Sequence, residues 1–404
     1  MKTKNKQPWR IFIVVGVLIL ATALIIANFE NIMLGFTFLC MSNVSGLDFY
    51  ENEKIVSLYQ SYDNPSVYFT TENDRVYVFG GYNHSNRPNY DNVEGRKRNE
   101  KLGVWEPVLL FEGSVKALVP TYRVGALIIT DSNELYRADL NDETFICGNA
   151  VDVFESENHL FVIDTNGDLR EIENGNSTII TSNVKEVNFC NGQLYILKNS
   201  GDLVRVPYSE SGISGTEDLL YSNVKSFGVR ATNTRYTEEG GYYFDEDAKR
   251  TPIINVLTNE GKLYAKGVYS LYEPYYISYS SLPGYVLPAS PLHEFSEWEL
   301  IAEDVDSFSL SERGTIMKLK TGEAAYYGYD TDVVAGTDQI DFAYKQLTDT
   351  SVSLVTASVF GISLICTDGT IMAWGDDYVT AFDCDGIFTT NANALSGDPI
   401  IIAN

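Results

Sequence analysis

The sequence predicts an all-β chain folded as a seven-bladed propeller of four-stranded antiparallel blades, preceded by one N-terminal transmembrane helix. Three observations carry this reading. Strand-forming aromatics are abundant, with 27 Tyr and 20 Phe in 404 residues, and they alternate with clusters of Asn, Asp, Ser and Gly that favour turns. No sustained 3.6-residue periodicity occurs beyond the N-terminus. One segment plan recurs seven times along the chain.

In that plan a Val-rich strand is followed, usually about twenty residues later, by a tight turn and a strand that starts on an apolar residue. The opening and later residues pair as Val56 with Val76, Val115 with Leu135, Val151 with Leu169 and Val184 with Leu203. Val224 with Leu263, Val305 with Ala324 and Val352 with Ile371 complete the set. The Val224 segment alone departs from the common spacing, through an insertion. The turns read ENDR, DSNE, TNGD, NSGD, NEGK, TGEA and TDGT. Gly, Asn and Asp recur there because tight hairpins need residues that tolerate positive φ. A further strand stands before an opening Val in WEPVLLFEGS, TIITSN, EDLLYSN and WELIAED, so each unit is expected to hold four strands, that preceding one included. Such a unit cannot bury both faces alone, and seven set round an axis can.

The pattern V-x-x-[VF]…L-x-T-x-[DN]-G-x-[LI]-x-x-[WK]-G is clearest over Val224–Gly267 and Val352–Gly375. It resembles the repeat of the regulator-of-chromosome-condensation family of seven-bladed propellers, over residues 55–404. Two features of that family are absent. No repeat carries its Gly-Gln-Leu-Gly segment, and its regular His is missing, since the chain has only His84, His159 and His293. The resemblance therefore implies the fold and not the nucleotide-exchange or chromatin roles of eukaryotic members. A nearer analogy is the set of secreted bacterial propellers of this family, one of which blocks β-lactamases with a loop face; that is likeness of fold alone. A six-bladed propeller of the YWTD type is disfavoured by the seven openings.

Residues 11–29 contain no charge, and Lys2, Lys4, Lys6 and Arg10 precede them. Such a stretch is near the minimum that spans a bilayer as a helix. The basic flank places residues 1–10 in the cytoplasm and exports the chain beyond the span. The alternative, a cleaved signal peptide, has a poor small-residue cleavage pattern at Ile-Ile-Ala-Asn. Residues 30–54 are read as a juxtamembrane linker and 55–404 as the propeller, a monomeric ring. The C-terminal DPIIIAN (398–404) resembles the strands that precede an opening Val, whereas LDFYENEKI before Val56 does not. Residues 398–404 are thus expected to complete the first blade, with Ile400–Ile402 covering its edge.

The insertions set the expectation for function. Residues 80–104, 228–250, 268–296 and 328–346 interrupt the repeat, and strand parity puts all four on one face. The opposite face is left with short turns. The aromatic candidates on that face are Tyr269, Tyr272, Tyr275, Tyr276 and Tyr279, together with Tyr326, Tyr327 and Tyr329. Tyr gives rigid, amphipathic contact surface, although long loops also use it to pack themselves. Arg96, Lys97 and Arg98 belong to the one basic cluster of the exported part and are the charged candidates. A partner protein or a cell-envelope glycan is the expected ligand.

Other chemistry finds little support. A formal charge of −26 argues against nucleic acid. The five Cys are scattered without a metal or disulfide pattern. Asp164, Asn166 and Asp168 in DTNGD echo a calcium loop, but Leu169 stands where Gly is required and Gly175 where Glu is; a hairpin turn is the expected reading. No nucleophile motif or phosphate loop occurs. The expectation is no catalytic residue, no cofactor and no metal, with a carbohydrate hydrolase using acidic residues of the long-loop face as the competing class.

Overall fold

The computed structural model describes residues 54–60, 66–80, 108–121, 125–139, 142–156, 159–173, 175–209, 212–230, 234–236, 242–244, 251–270, 292–311, 313–329, 342–358, 361–375 and 400–402. All belong to the compact unit Phe49–Asn404. Among them no helix is long and apolar enough to cross a membrane; the expected span at 11–29 lies outside the described residues.

The described strands form seven antiparallel four-stranded sheets, with a short fifth strand, Gly212–Ile213, appended to the fourth sheet and a separate two-stranded hairpin, Thr234–Tyr236 with Tyr242–Phe244, between the first two strands of the fifth. The inner strands are Ile55–Gln60, Ala117–Pro120, Ala150–Ser156, Val184–Cys190, Val224–Arg230, Val305–Leu310 and Val352–Ala357. Each touches the next, and the seventh touches the first, so the ring closes. The cores lie between blades. Phe161 and Ile163 of blade three, for instance, pack with Val184, Val187, Leu194 and Val206 of blade four. Second strands have a blade on either side, and their patterns are accordingly apolar on both faces. Gly125–Ile129 (GALII) and Ile253–Thr258 (IINVLT) are buried at every position, and each Ile or Leu so covered contributes about 1.5–3 kcal/mol.

The turn chemistry read from the sequence is present. Gly167, Gly201, Gly261, Gly322 and Gly369 sit at φ 79, 87, 90, 98 and 93°, and Asp74 and Asn133 fill the same place in blades one and two at 57 and 61°. A second set of left-handed residues stands just before the opening residue of blades three to six: Asn149, Asn183, Asn223 and Asp304. Asn and Asp tolerate that conformation better than other side chains.

Three expectations are corrected. First, the strand preceding each opening Val belongs to the previous blade. Val108–Glu112 pairs with Arg75–Gly80 and is the outer strand of blade one, and Asn176–Thr181 likewise closes blade three. Second, the C-terminal strand Ile400–Ile402 pairs with Ile371–Gly375 of blade seven, not with blade one. Blade one already has four strands of its own, so no edge there awaits the C-terminus. Third, the buried opening residues of blades one and three are Ile55 and Ala150, not Val56 and Val151. Val56 is 56% exposed and Ile55 3%. A strand alternates faces residue by residue, so a one-position slip exchanges core for surface.

Most inner strands carry a bulge after their first residue, as in Val184↔Lys198 followed by Glu186↔Leu197 and Val305↔Leu319 followed by Ser307↔Lys318. The extra residue raises the local twist that the ring needs.

The new assignment of the last strand is directly testable. In a chain lacking residues 400–402, hydrogen exchange should quicken by about tenfold or more at Ile371–Ala373 and leave Ile55–Gln60 unchanged. Loss of protection in blade one instead would restore the sequence expectation.

Candidate functional site

The two faces of the ring differ in how their connections are held. On one face lie the turns between second and third strands and the links between blades. There the N–H of the opening residue of blades three to seven donates to the carbonyl of the preceding blade's turn. Examples are Val184 to Gly167, Val224 to Gly201 and Val305 to Gly261, each 2.9 Å, and Val352 to Gly322 at 2.7 Å. Ala150 to Asn133 at 2.8 Å continues the series. In turn the residue before the opening one accepts from its own blade's turn, as in Asn199 to Asn183 at 3.0 Å and Lys320 to Asp304 at 2.7 Å. Together these bonds make a belt that leaves no slack for insertions.

The opposite face carries every long connection. Residues 81–107, 231–252, 271–291 and 330–341 join described strands there, and 376–399 add a fifth. Parity was therefore read correctly from the sequence. What changes is the identity of the loops: 81–107, 271–291 and 330–341 link third and outer strands within a blade rather than crossing between blades.

The tyrosine candidates divide at this rim. Tyr269, Tyr326 and Tyr329 are buried, which corrects their reading as contact surface. The Tyr269 hydroxyl donates to Asn255 Oδ1 at 3.0 Å and lies 2.8 Å from Thr315 Oγ1, while Asn255 Nδ2 donates to the same Thr315 oxygen at 2.9 Å. This closed polar triangle staples blade five to blade six, with all three residues at zero exposure. Burial pushes the Tyr269 phenol well above its ordinary value, against the pull of Thr315 and Asn255. Tyr326 donates to the carbonyl of Tyr329 at 3.3 Å. Tyr327 is half-buried against Phe342, ring centroids 5.0 Å apart. His293 stacks on Phe342 at 3.8 Å and 9°, and burial depresses its pKa. Tyr272, Tyr275, Tyr276, Tyr279, Arg96, Lys97 and Arg98 lie outside the described residues.

A second polar cluster at the same rim was not singled out from the sequence. His159 Nδ1 lies 2.6 Å from Glu171 Oε1, and the Tyr208 hydroxyl of blade four donates to the other carboxylate oxygen. Phe161, Phe189 and Tyr208 surround the imidazole, with centroids 5.3–5.6 Å from it. His159 and Glu171 meet on paired strands of blade three, and the approach of blade four adds Tyr208.

A third group lines the inner wall. An inner strand has no partner on its axial side, and side chains of the preceding blade serve that free edge. Lys185 donates to the carbonyl of Lys225 and Lys225 to that of Asp306, both at 2.6 Å. Ser309 accepts from the N–H of Ala357 at 3.0 Å, and Glu186 accepts from that of Phe227. Asp152 stands at the corresponding position of blade three and caps the N–H of Val153 at 2.9 Å. The signal for this set was a carboxylate two places after the opening residue in consecutive repeats, AVD and VKE.

The DTNGD turn is structural. Asp164 Oδ1 accepts from the N–H groups of Asn166 and Asp168 at 2.9 and 3.1 Å, and Oδ2 from Arg170 Nε at 2.8 Å. Burial opposes ionisation there, but these donors overcome it and hold the pKa below the usual carboxylate value. Among the described residues no group of three His, Cys, Asp or Glu could hold a metal ion, and Cys147, Cys190 and Cys366 are not in disulfides.

No family model matches the chain, and no curated protein does. Solved structures similar to it include Kap60 bound to yeast RCC1 (Prp20), at 13% identity and a TM-score of 0.49, covering 76% of this chain and 78% of that one. Hsv2 of Kluyveromyces lactis matches at 10% and 0.45, covering 81% and 96%. The β-propeller domain of Cps50 (Swd1) from Myceliophteria thermophila matches at 10% and 0.45, covering 81% and 98%. An RCC1 propeller is thus among the structures this chain is similar to. At these values the fold assignment rests on the seven sheets themselves.

Tyr269→Phe should lower stability by about 1–3 kcal/mol, because it strips the hydroxyl from a buried polar triangle. Denaturant unfolding should show a lower midpoint at an unchanged slope. A change within about 0.5 kcal/mol would mark Tyr269 as a surface residue after all.

Proposed function

We propose that the chain is a non-enzymatic binding module that presents its long insertions to a protein or cell-envelope glycan. In this reading residues 11–29 tether it to a membrane, with the N-terminus cytoplasmic and the propeller extracytoplasmic. The observation that carries the proposal is the segregation of insertions. Every connection of about a dozen residues or more between described blade strands leaves one rim, while the other rim is locked by the belt of turn hydrogen bonds. Loops that vary on a rigid scaffold are the usual place for recognition. In this reading Tyr272, Tyr275, Tyr276 and Tyr279, with the basic Arg96, Lys97 and Arg98, all within the insertions, are the aromatic and charged contact groups.

The test uses photo-crosslinking residues placed singly in the full-length chain. Positions 97, 275 and 276 sample the insertion face, and positions 132, 200 and 260 sample the short turns. Crosslinks to one and the same partner from the first set alone are expected. Crosslinks from the second set alone would sink the reading. Changing Tyr272, Tyr275 and Tyr276 together to Ala should reduce capture by about tenfold or more without lowering the melting temperature, as loss of clustered aromatic anchors does at other interfaces.

A further inference from the structure

Blades six and seven share one hairpin at the insertion rim. In blade six the second and third strands, Gly314–Leu319 and Ala324–Tyr329, place Gly314 opposite Gly328. In blade seven Gly361–Cys366 and Ile371–Gly375 place Gly361 opposite Gly375. The turn into the second strand is also the same. The Ser311 hydroxyl donates to the Gly314 carbonyl at 3.0 Å and accepts from the Gly314 N–H at 3.3 Å. Ser358 serves Gly361 in the same two ways, at 3.5 and 3.1 Å.

The residues next to the glycine pair differ. Blade six has Ile316 opposite Tyr326. The Tyr326 phenol lies over the glycines, where a Cβ on either would run into its hydroxyl, and Gly314 is buried. Blade seven has Ser363 opposite Ala373 at the same places. Its Gly361 is partly exposed where Gly314 is not. Ile362, Leu364 and Trp374 pack with blade six, so by strand alternation Ser363 and Ala373 face blade one. That face has thus given up a phenol ring and most of an aliphatic side chain.

Blade one supplies the opposite wall. Tyr68 packs with blade two, so Val67 and Phe69 face blade seven. The Phe69 ring is stacked on Tyr77 of its own blade, with centroids 5.3 Å apart and 20° between the planes. Both facing residues are apolar. The Ser363 hydroxyl, fully buried, has no hydrogen-bond partner among the described residues. A buried polar atom left in this way is rare in a folded chain and marks a place where something else supplies the bond.

We propose that the seam between blades seven and one holds a slot for a small phenol, whose ring takes the seat filled by Tyr326 in blade six and whose hydroxyl bonds to Ser363. An apolar recess lacking the side chain that would fill it takes up a free aromatic molecule of matching size. Here the walls are apolar, and a single polar group orients the ligand. Gly361 marks the mouth. The slot uses no residue of the insertions, so it stands or falls apart from the partner-binding reading.

Phenol and benzene, titrated separately into the full-length chain and followed by ligand-observed NMR, test this. Saturable phenol binding is expected. Ser363→Ala should weaken phenol by about threefold to tenfold, the loss of one hydrogen bond, and leave benzene unchanged. Ala373→Tyr restores the blade-six side chain and should abolish binding of both without lowering the thermal midpoint. Absence of saturable phenol binding by the unmodified chain would overturn the proposal. So would an Ala373→Tyr variant that still binds phenol, or one that melts well below the wild type, because the seat would then be filled already.

Discussion

Everything else in this ring depends on the hydrogen bond that runs, in blades three to seven, from the opening N–H to the turn carbonyl of the blade before it. The bond itself is worth only about 1 kcal/mol net. Its importance is positional. It forms only if the turn carries a left-handed residue, which Gly167, Gly201, Gly261 and Gly322 supply. The interblade link must be equally tight, which explains Asn149, Asn183, Asn223 and Asp304. With both ends so fixed, the opening residue of blades four to seven, Val184, Val224, Val305 or Val352, has one register available. Its side chain goes to the core between blades. An insertion on this face would break a bond in the belt, and the insertions are accordingly found on the other.

The two free edges of each blade are managed differently. The axial edge is served by side chains from the preceding blade: Lys185, Lys225 and Ser309 all reach the backbone of the next inner strand. The peripheral edge is bent by a bulge, as between Leu169↔Thr181 and Arg170↔Ile179, and so is a poor template for further pairing. The bulge has a consequence for the outer surface. Leu109, Phe145, Ile179, Leu219 and Leu300 occupy equivalent places beyond it and are all exposed. Closure uses neither edge. Blade seven keeps the C-terminal strand for itself, and its inner strand meets that of blade one side by side. Each blade is thereby a contiguous stretch of chain.

The repeat was legible because turn chemistry is local: a positive φ demands Gly, Asn or Asp whatever lies around it. The grouping of strands into blades was not, because it is a question of pairing across distance. Val108–Glu112 lies a few residues before its neighbour in sequence, Ala117–Pro120, yet pairs with a strand on the far side of the 81–107 insertion. Nothing in its composition says so. The choice between Ile55 and Val56 was closed to sequence reading for a similar reason, since both are β-branched and only the pleat separates them. Glu186 looks like a surface residue in NVKEVNF. Its bond to the Phe227 N–H follows from the approach of two blades, which no single repeat encodes. The contact of Tyr208 with His159 and Glu171 was hidden in the same way.

The buried tyrosines clarify how a rigid ring can present irregular loops. Tyr269 ends its packing at the point where residues 271–291 begin, and Tyr329 does so where 330–341 begin. Both belong to one cluster with Ile253, Ala265 and Leu310, against which Phe295 and Phe342 also pack. The chain thus leaves the scaffold from fixed points, so the entropy of an insertion is confined to the insertion. A run of tyrosines that reads as one feature in the sequence has two physical roles. Those at strand ends anchor: the Tyr269 hydroxyl is taken up by Asn255 and Thr315, and the Tyr329 carbonyl accepts from the Tyr326 hydroxyl. Under the binding reading proposed above, contact with a partner is left to the tyrosines of the insertions.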